Sequence, residues 1–411
     1  MEPKGGNNFM TETKTKSVDR RSFLKKGMIG GSAVAASSLA APAVLAQAPL
    51  TIRMQTSWPA SDIWQTMAQQ YADRVEAMSG GRLAVDVLPA GAVVAAFQVI
   101  DAVSDGVLDA AHSVSAYWYG KNKAASLFGT GPVFGGNPTT MLAWFYEGGG
   151  REFYRELTQD NMGLNVIGML GMPMPPQPFG WFTQPVSGVA DMNGLKYRTV
   201  GLAADLMQSM GMSVTQLPGG EIVPAMERGV IDAFEFNNPS SDRRFGAQDV
   251  AQNYYLGSYH QASEAFEFIF NRDFMEDLDE DLRAIVEYAV EASAMKNTTF
   301  ALDNYSADLA KLRDEDGVNI QETPQEILDQ QLEAWSTMIT ELEQDEFMKR
   351  VLDSQREFVK RVSYYELVNT PSYRAAYEHF FPDTLPARGG SSGSSSASDS
   401  GSGSDSEATQ Q

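Results

Sequence analysis

The chain of 411 residues contains no cysteine, which excludes disulfides, thiol nucleophiles and thiolate metal sites. Histidine is nearly as scarce. His112, His260 and His379 are the only three, and none stands in a metal-ligand spacing. A Gly-x-Ser-x-Gly elbow, a phosphate-binding Gly-x-x-x-x-Gly-Lys loop and a strand-linked dinucleotide fingerprint are also absent. Positive charge is in short supply, with 31 Lys and Arg against 53 Asp and Glu and a net charge of −22. Such acidity disfavours nucleic acid or an anionic membrane as partner. No apolar run is long enough to span a bilayer. Carboxylates could work in pairs as acid and base, but any acidic chain offers many. The pattern therefore gives no reason to expect an enzyme, and His112 and His260 read as structural residues.

What is present begins with a leader. Ser17–Lys26 (SVDRRSFLKK) is a basic region with paired arginines. A mild apolar run rich in Gly, Ser and Ala follows over Gly27–Ala41, then small residues over Pro42–Ala46. This is the pattern of a bacterial twin-arginine export signal over residues 1–46, cleaved after Ala46. The leader holds seven basic and three acidic residues, so its removal leaves the chain near −26. The mature protein is expected in the periplasm.

From Pro49 the chain alternates short strands with amphipathic helices, the rhythm of an α/β fold. Leu50–Gln55 reads as a strand, Ile63–Met78 as a helix stopped by Gly80 and Gly81, and Arg82–Leu88 as the next strand. Ala110–Ser115 is a further strand, running into Tyr117, Trp118 and Tyr119. Trp58 and Tyr117 both follow strand ends, where an open α/β sheet places its ligands. Aromatics covering the edge of a core would look the same.

Leu195–Val200 and Gly229–Phe236 are strand-like segments enclosing helical stretches near Ala203–Met210 and Glu221–Arg228. Each strand carries a charge near its carboxyl end, Arg198 on one and Glu235 on the other. Composition alone allows Arg198 to be a surface ion-pair partner. Glu235 shares a face with Ile231 and Ala233 in a segment that reads as buried, so it must be paired or bind a cation. In the strand Glu264–Phe270, Phe266, Phe268 and Phe270 form one face, and Glu267 lies on the other. Glu267 is thus a second acid expected in the interior, serving either a hard cation or an Arg partner.

Asp279–Asp314 is helical, Val318–Glu322 a short strand, and Thr323–Pro324 opens a helical region that runs to about Leu367. Two readings fit that region, one long helix serving a partner chain or two helices broken near Asp345 and Glu346. Beyond Pro386 the Gly/Ser-rich tail, residues 387–411, has nothing to bury and is expected to be disordered.

Three segments resemble the extracytoplasmic solute-binding proteins (DctP-type) of tripartite ATP-independent periplasmic, or TRAP, transporters. They are Gly194–Arg198 (GLKYR), Gly220–Phe236 (GEIVPAMERGVIDAFEF) and Phe266–Asn271 (FEFIFN), within a match spanning roughly Leu50 to Tyr373. The order of Gln177 ahead of Gly-Trp-Phe, then Arg198, then Glu235 is similar to the branch that binds 2-oxo acids and related monocarboxylates with a metal cation. The resemblance implies a two-pronged grip of Arg198 on a ligand carboxylate. It implies a sodium or calcium ion held by Gln177, Glu235 and the Phe236 carbonyl, with Glu267 as a further candidate oxygen. Trp58 and Tyr117 join Gln177 and Arg198 as ligand-binding candidates, and no residue is assigned to catalysis. Three departures bear on ligand preference. Phe236 stands where the family usually has Trp, Asn237–Pro239 (NNP) replaces Gly-Pro, and Leu256–Ala262 (LGSYHQA) replaces a P-G-W-H-E-P segment.

The expected fold is therefore α/β, a two-lobed periplasmic binding protein with a long C-terminal helix. Residues 50–172 and 265–300 are assigned to one lobe, 173–264 and 301–323 to the other. The region 324–370 is assigned to homodimerisation. The expected partners are a small carboxylate such as pyruvate or lactate and a TRAP membrane permease, with no nucleic acid. Replacing Arg198 by Ala is expected to abolish binding with little loss of fold. Two other classes stand beside this one: an exported enzyme acting on a carboxylated substrate, which uses the same Arg, and an accessory dimer whose long helix is the working part and which gains no stability from a small molecule.

Overall fold

The computed structural model describes residues 48–386; the leader over residues 1–46 and the tail over 387–411 lie outside the described residues. Among the described residues eleven strands form two sheets. The first strand, β1 (Leu50–Thr56), pairs in parallel with β2 (Leu83–Leu88) and β3 (Ala110–Ser113). The helix Ile63–Ser79 returns the chain from β1 to β2. Its start is fixed by Asp62, whose side chain accepts from the Trp64 backbone N–H, and its end by Gly80 at φ 63°. Only glycine takes that left-handed geometry without strain.

The fourth strand, β4 (Val166–Met174), leads out of this sheet into β5 (Gly180–Phe182) of the second. There β6 (Lys196–Arg198) lies between β7 (Ser213–Thr215) and β8 (Ala233–Phe234), parallel to both. The helices Leu202–Ser209 and Ile222–Glu227 lie on the connections, as the apolar periodicity requires. After β9 (Asn253–Leu256) the chain crosses back as β10 (Glu264–Asn271), which is antiparallel to both β3 and β4. The last strand, β11 (Asn319–Glu322), closes the second sheet beside β9. The orders are β2-β1-β3-β10-β4 and β11-β9-β5-β8-β6-β7.

The chain thus passes between the sheets at 175–179, at 257–263, and along the 35-residue helix Glu280–Asp314. At 1.5 Å per residue that helix is about 52 Å long. It packs on Ile63–Ser79 and β4 at one end and on the helix Pro239–Phe245 at the other. Its buried residues, from Val286, Ala289 and Val290 to Ala301, Tyr305 and Leu312, recur at helical spacing.

Of the two readings of the C-terminal region, the structure has two helices, Gln325–Leu342 and Glu346–Asn369. The break has a local cause. The Asp345 side chain accepts from the Met348 backbone N–H at 2.9 Å and starts the second helix anew. The first packs on Leu202–Ser209, the second on the helix Pro138–Glu147 of the same chain. Val351, Leu352, Gln355, Val359 and Ser363 are buried there. Beyond them Tyr364, Leu367 and Val368 are 71–76% exposed. No helix among the described residues is long and apolar enough to cross a membrane.

Candidate functional site

Both sheets turn the same kind of edge toward the two crossings. β1, β3 and β4 end there, β10 begins there, and in the second sheet β6, β8 and β9 end there while β5 begins. Side chains just beyond parallel strand ends face such a crevice. Trp58 follows β1, Tyr117 follows β3, Gln177 lies between β4 and β5, Arg198 ends β6, Glu235 follows β8, and Gln261 precedes Glu264 at the start of β10.

Arg198 is 1% exposed and held on two of its three nitrogens. Its Nε donates to the Leu217 carbonyl at 2.8 Å. Its Nη1 donates to the Glu235 carbonyl at 2.7 Å and to Glu235 Oε1 at 3.0 Å. The Phe236 ring lies 5.6 Å from the guanidinium carbon. That leaves Nη2, buried and without a partner. The guanidinium therefore presents one free nitrogen to a ligand, where the resemblance implied two prongs. The other prong is spent on Glu235.

Glu235 is fully buried, and its Oε2 accepts from no donor. Burial pushes its carboxyl up to about 7, against the pull of Arg198.

The two crossings meet at Gln177 and Gln261. The Gln177 backbone N–H donates to the Gln261 carbonyl at 3.1 Å. Both side-chain amides donate to one oxygen, Glu264 Oε2, at 3.0 Å from Gln177 and 2.8 Å from Gln261. A carboxylate only accepts, so each amide must turn its NH2 inward and its carbonyl oxygen elsewhere. Gln177 Oε1, Gln261 Oε1 and Glu264 Oε1 are all buried without donors. Burial, reinforced by Glu235, pushes the Glu264 carboxyl up to about 8.

Gln177, Arg198, Gln261 and Glu264 line one cavity of about 10 Å³, walled by Trp58, Trp64, Val114, Tyr117, Val200 and Phe236. That is room for roughly one water-sized sphere. Hollows of about 1020 and 740 Å³ lie elsewhere, but no residue lining them carries an unpartnered buried side-chain atom. The small cavity is where the chemistry is. Trp58 serves it as a wall, because its Nε1 already donates to His112 Nδ1 at 2.8 Å. Burial lowers both His112 and His260 to about 3, so each is neutral at physiological pH.

Glu267 is not part of this constellation. Trp118 Nε1 donates to its Oε2 at 2.8 Å, and the Tyr154 hydroxyl donates to its Oε1. Both carboxylate oxygens are used on the far face of β10. The acid that reaches the cavity is Glu264, which sequence reasoning did not single out. Its signal was the strand period of two, which places Glu264 on the Phe266 face. Trp58 and Trp64, both lining the cavity, pack on Phe266 at 5.8 and 5.2 Å. Gln261 was likewise missed, since its role depends on a second crossing 84 residues along the chain from Gln177.

Among the described residues no group of three or more His, Asp or Glu could hold a metal ion. The donors lining the cavity are mixed, the Glu264 carboxylate and the amide carbonyls of Gln177 and Gln261. All are oxygen, as a hard cation prefers. Buried acceptors without donors are rare in folded proteins, and the three on Gln177, Gln261 and Glu264 at one cavity need a positive charge or donor to satisfy them. The residues fit a cation beside an anion held by Arg198.

The model of the bacterial extracellular solute-binding proteins of family 7 (DctP) matches residues 54–349. A monocarboxylate 2-oxoacid-binding periplasmic protein of Nostoc sp. (strain PCC 7120) is 32% identical over 324 residues, covering 78% of this chain and 87% of that one. A TRAP transporter solute-binding protein from Bordetella bronchiseptica shares 27% identity and a TM-score of 0.74, over 82% of this chain and 98% of its own. It is a mixed-occupancy dimer with copurified calcium and picolinate in one site and an apo second site. A TRAP periplasmic solute-binding protein from Pseudoalteromonas atlantica, with bound sodium and pyruvate, shares 28% identity and a TM-score of 0.73, over 81% of this chain and 99% of its own.

Proposed function

The chain belongs to the bacterial extracellular solute-binding proteins of family 7, and from that premise we propose that it captures a small 2-oxo acid or related monocarboxylate as a complex with sodium or calcium and delivers it to a TRAP permease. The observation that carries this reading is the pairing of one free guanidinium nitrogen, Arg198 Nη2, with buried unpartnered oxygens at one cavity.

In this reading Arg198 Nη2 takes the ligand carboxylate by a charge-assisted hydrogen bond, oriented by the bonds its other nitrogens make. Gln177 and Glu235 supply side-chain oxygens to the cation, and Phe236 its backbone carbonyl. Such a cation would bridge the ligand's carboxylate and its keto or hydroxyl oxygen. Trp58 and Tyr117 wall off water. A cavity of about 10 Å³ admits no acid unless the lobes part. The crossings at 175–179 and 257–263 are the short segments about which they would turn. Contacts across the cleft favour the closed arrangement. Ser241 Oγ donates to Asp62 at 2.9 Å, and Asp205 accepts from the Tyr119 hydroxyl and Lys123 Nζ, both at 2.7 Å.

The protein is periplasmic, as its family is. Residues 1–46 are read as the twin-arginine leader that takes it there. Two copies are read as meeting through the apolar face beyond Ser363, where Tyr364, Leu367, Val368, Tyr373 and Phe380 are 71–76% exposed. An exposed patch of that kind marks an interaction surface. Members of this family bind rather than transform their solutes, and the site is read as non-catalytic; product formed on prolonged incubation would overturn that.

The deciding experiment is thermal stability of the chelator-treated mature protein with pyruvate, longer 2-oxo acids or lactate, each with and without sodium or calcium. A ligand that binds only the folded state must raise the melting temperature. A rise that needs both acid and cation is expected. No rise with any acid would overturn the assignment.

A further inference from the structure

The helix Gln325–Leu342 buries a stripe of Ile327, Ala334, Trp335, Met338 and Leu342, with one amide, Gln331, set into it. A polar side chain in such a stripe costs stability unless its hydrogen bonds are made. Those of Gln331 go to the crossing at 257–263. Its Oε1 accepts from the Tyr259 backbone N–H at 2.7 Å and from the Ser258 hydroxyl at 3.0 Å. Trp335, one turn further along the same face, donates from Nε1 to the Tyr259 carbonyl at 2.8 Å. Both backbone groups of Tyr259 are thus tied to the helix. The Ser258 hydroxyl has a single hydrogen, given to Gln331, so at 2.6 Å it accepts from His260 Nδ1–H.

From these contacts we infer that Gln331 is a positioning residue for the ligand site: it fixes the crossing at Tyr259 and so sets where Gln261 stands in the cavity. The inference rests on the carboxylate-and-cation reading of that site. Gln261 lines the cavity, its carbonyl accepts from the Gln177 N–H, and its amide donates to Glu264 Oε2. Only His260 separates the residue held by the helix from the residue held by Gln177. At about 3.5 Å of chain per residue, little slack is left between the two tethers. The helix itself packs on Leu202–Ser209, which follows the strand ending at Arg198. Gln331 therefore refers Gln261, just before the return to the first sheet, to the lobe that carries Arg198 and Glu235. The pivot at this crossing is accordingly confined to the residues beyond Tyr259, 260–263. Gln331 does not line the cavity, so it acts through Tyr259 and Gln261 rather than on the ligand.

The test measures pyruvate binding to the full-length mature protein by titration calorimetry, after chelator treatment and with calcium added back. Gln331→Met keeps the side-chain length and removes the acceptor. It is expected to weaken binding by about 10- to 100-fold, the usual cost of losing a residue that orients a direct contact. In a Gln261→Ala background the same change is expected to cost no more than about twofold, because the group it positions is gone. A merely structural residue would cost the same in both backgrounds. Ser336→Ala, on the exposed face of the helix, is expected to bind as the wild type does. Trp335→Phe drops one hydrogen bond to Tyr259 and keeps a ring; it is expected to weaken binding in the same direction, and it carries the comparison if Gln331→Met does not fold. Wild-type affinity in these variants, or equal losses in the two backgrounds, would overturn the inference and leave the carboxylate reading standing. Absence of pyruvate binding by the wild type with calcium or with sodium would overturn that reading itself.

Discussion

Gln177 and Gln261 join the two crossings of the molecule, backbone N–H to carbonyl at 3.1 Å, and their side chains converge on the same oxygen of Glu264. The joint about which the lobes would turn and the oxygens that would hold a ligand are thus the same few residues. Closure and capture cannot then be separated, because moving either crossing moves a donor. Arg198 and Glu235 lie on the second sheet and Glu264 on the first, so the full set exists only when both lobes are in place.

Arg198→Lys is expected to weaken carboxylate binding by at least about 100-fold, because a lone ammonium cannot hold Leu217, Glu235 and a ligand at once. Arg198→Ala goes further than the sequence suggested. It leaves Glu235 buried without its partner, a loss of about 3–5 kcal/mol for a broken buried pair. Its melting temperature should therefore fall as well as its affinity. The double variant Arg198→Ala with Glu235→Gln is expected to recover stability but not binding. Calorimetry and thermal melts of the three variants check this, and wild-type affinity in Arg198→Lys would remove Arg198 from the site.

Asp205→Ala removes two contacts made only across the closed cleft, from Tyr119 and Lys123. The pair is partly solvent-exposed, so its worth is modest, about 0.5–1 kcal/mol. Apparent affinity scales with the closed fraction, and a loss of roughly two- to fivefold is expected, mostly in the dissociation rate. Stopped-flow fluorescence checks it. A faster association with unchanged dissociation would place Asp205 in steering rather than closure.

Much of the second lobe could be read from the chain because its determinants are local. The strands around Arg198 and Glu235 follow from apolar runs with helical segments between them, and β6 pairs with β8 so that Arg198 lies opposite Phe234. The first lobe's contribution was harder. Glu264 and Glu267 are both acids on one strand, and a period of two separates their faces without saying which face meets the cleft. That is decided by Trp64, which packs on Phe266 from a helix some 200 residues earlier in the chain. The break at Asp345 was equally ambiguous, since apolar spacing continues through it and only the capping bond to Met348 restarts the helix.

Glu267→Gln is expected to flatten the pH dependence of stability on the alkaline side. Burial raises this carboxyl from 4.5 to about 7, although Tyr154 and Trp118 hydrogen-bond to it. The folded state therefore keeps a proton that the unfolded chain releases. The stabilisation is complete below 4.5 and is lost as pH rises through about 7, at most on the order of 3 kcal/mol. His112 and His260 have the opposite sign. They are depressed from 6.5 to about 3, so their contribution is lost as pH falls below 6.5. Denaturant unfolding of wild type and variant between these limits isolates the Glu267 share. Parallel pH curves would show that Glu267 is ionised in the folded protein.

Leu367→Glu combined with Val368→Glu is expected to leave a folded, ligand-binding monomer. Tyr364, Leu367 and Val368 fall at i, i+3 and i+4, on one stripe of the helix Glu346–Asn369. Glu366 holds the other side to the same chain, accepting from Thr140 Oγ1 at 2.7 Å and Asn137 Nδ2 at 3.2 Å. The rotation of the last turns is therefore fixed, and the stripe has to face outward. A charge at 76% and 71% exposed positions costs the free subunit little, but two copies meeting there would bury four carboxylates together. Sedimentation velocity across a concentration series reads the outcome. The wild type should sediment as a dimer and the variant as a monomer with an unchanged melting temperature for pyruvate and cation. A wild type that stays monomeric throughout would show that this stripe meets something other than a second copy.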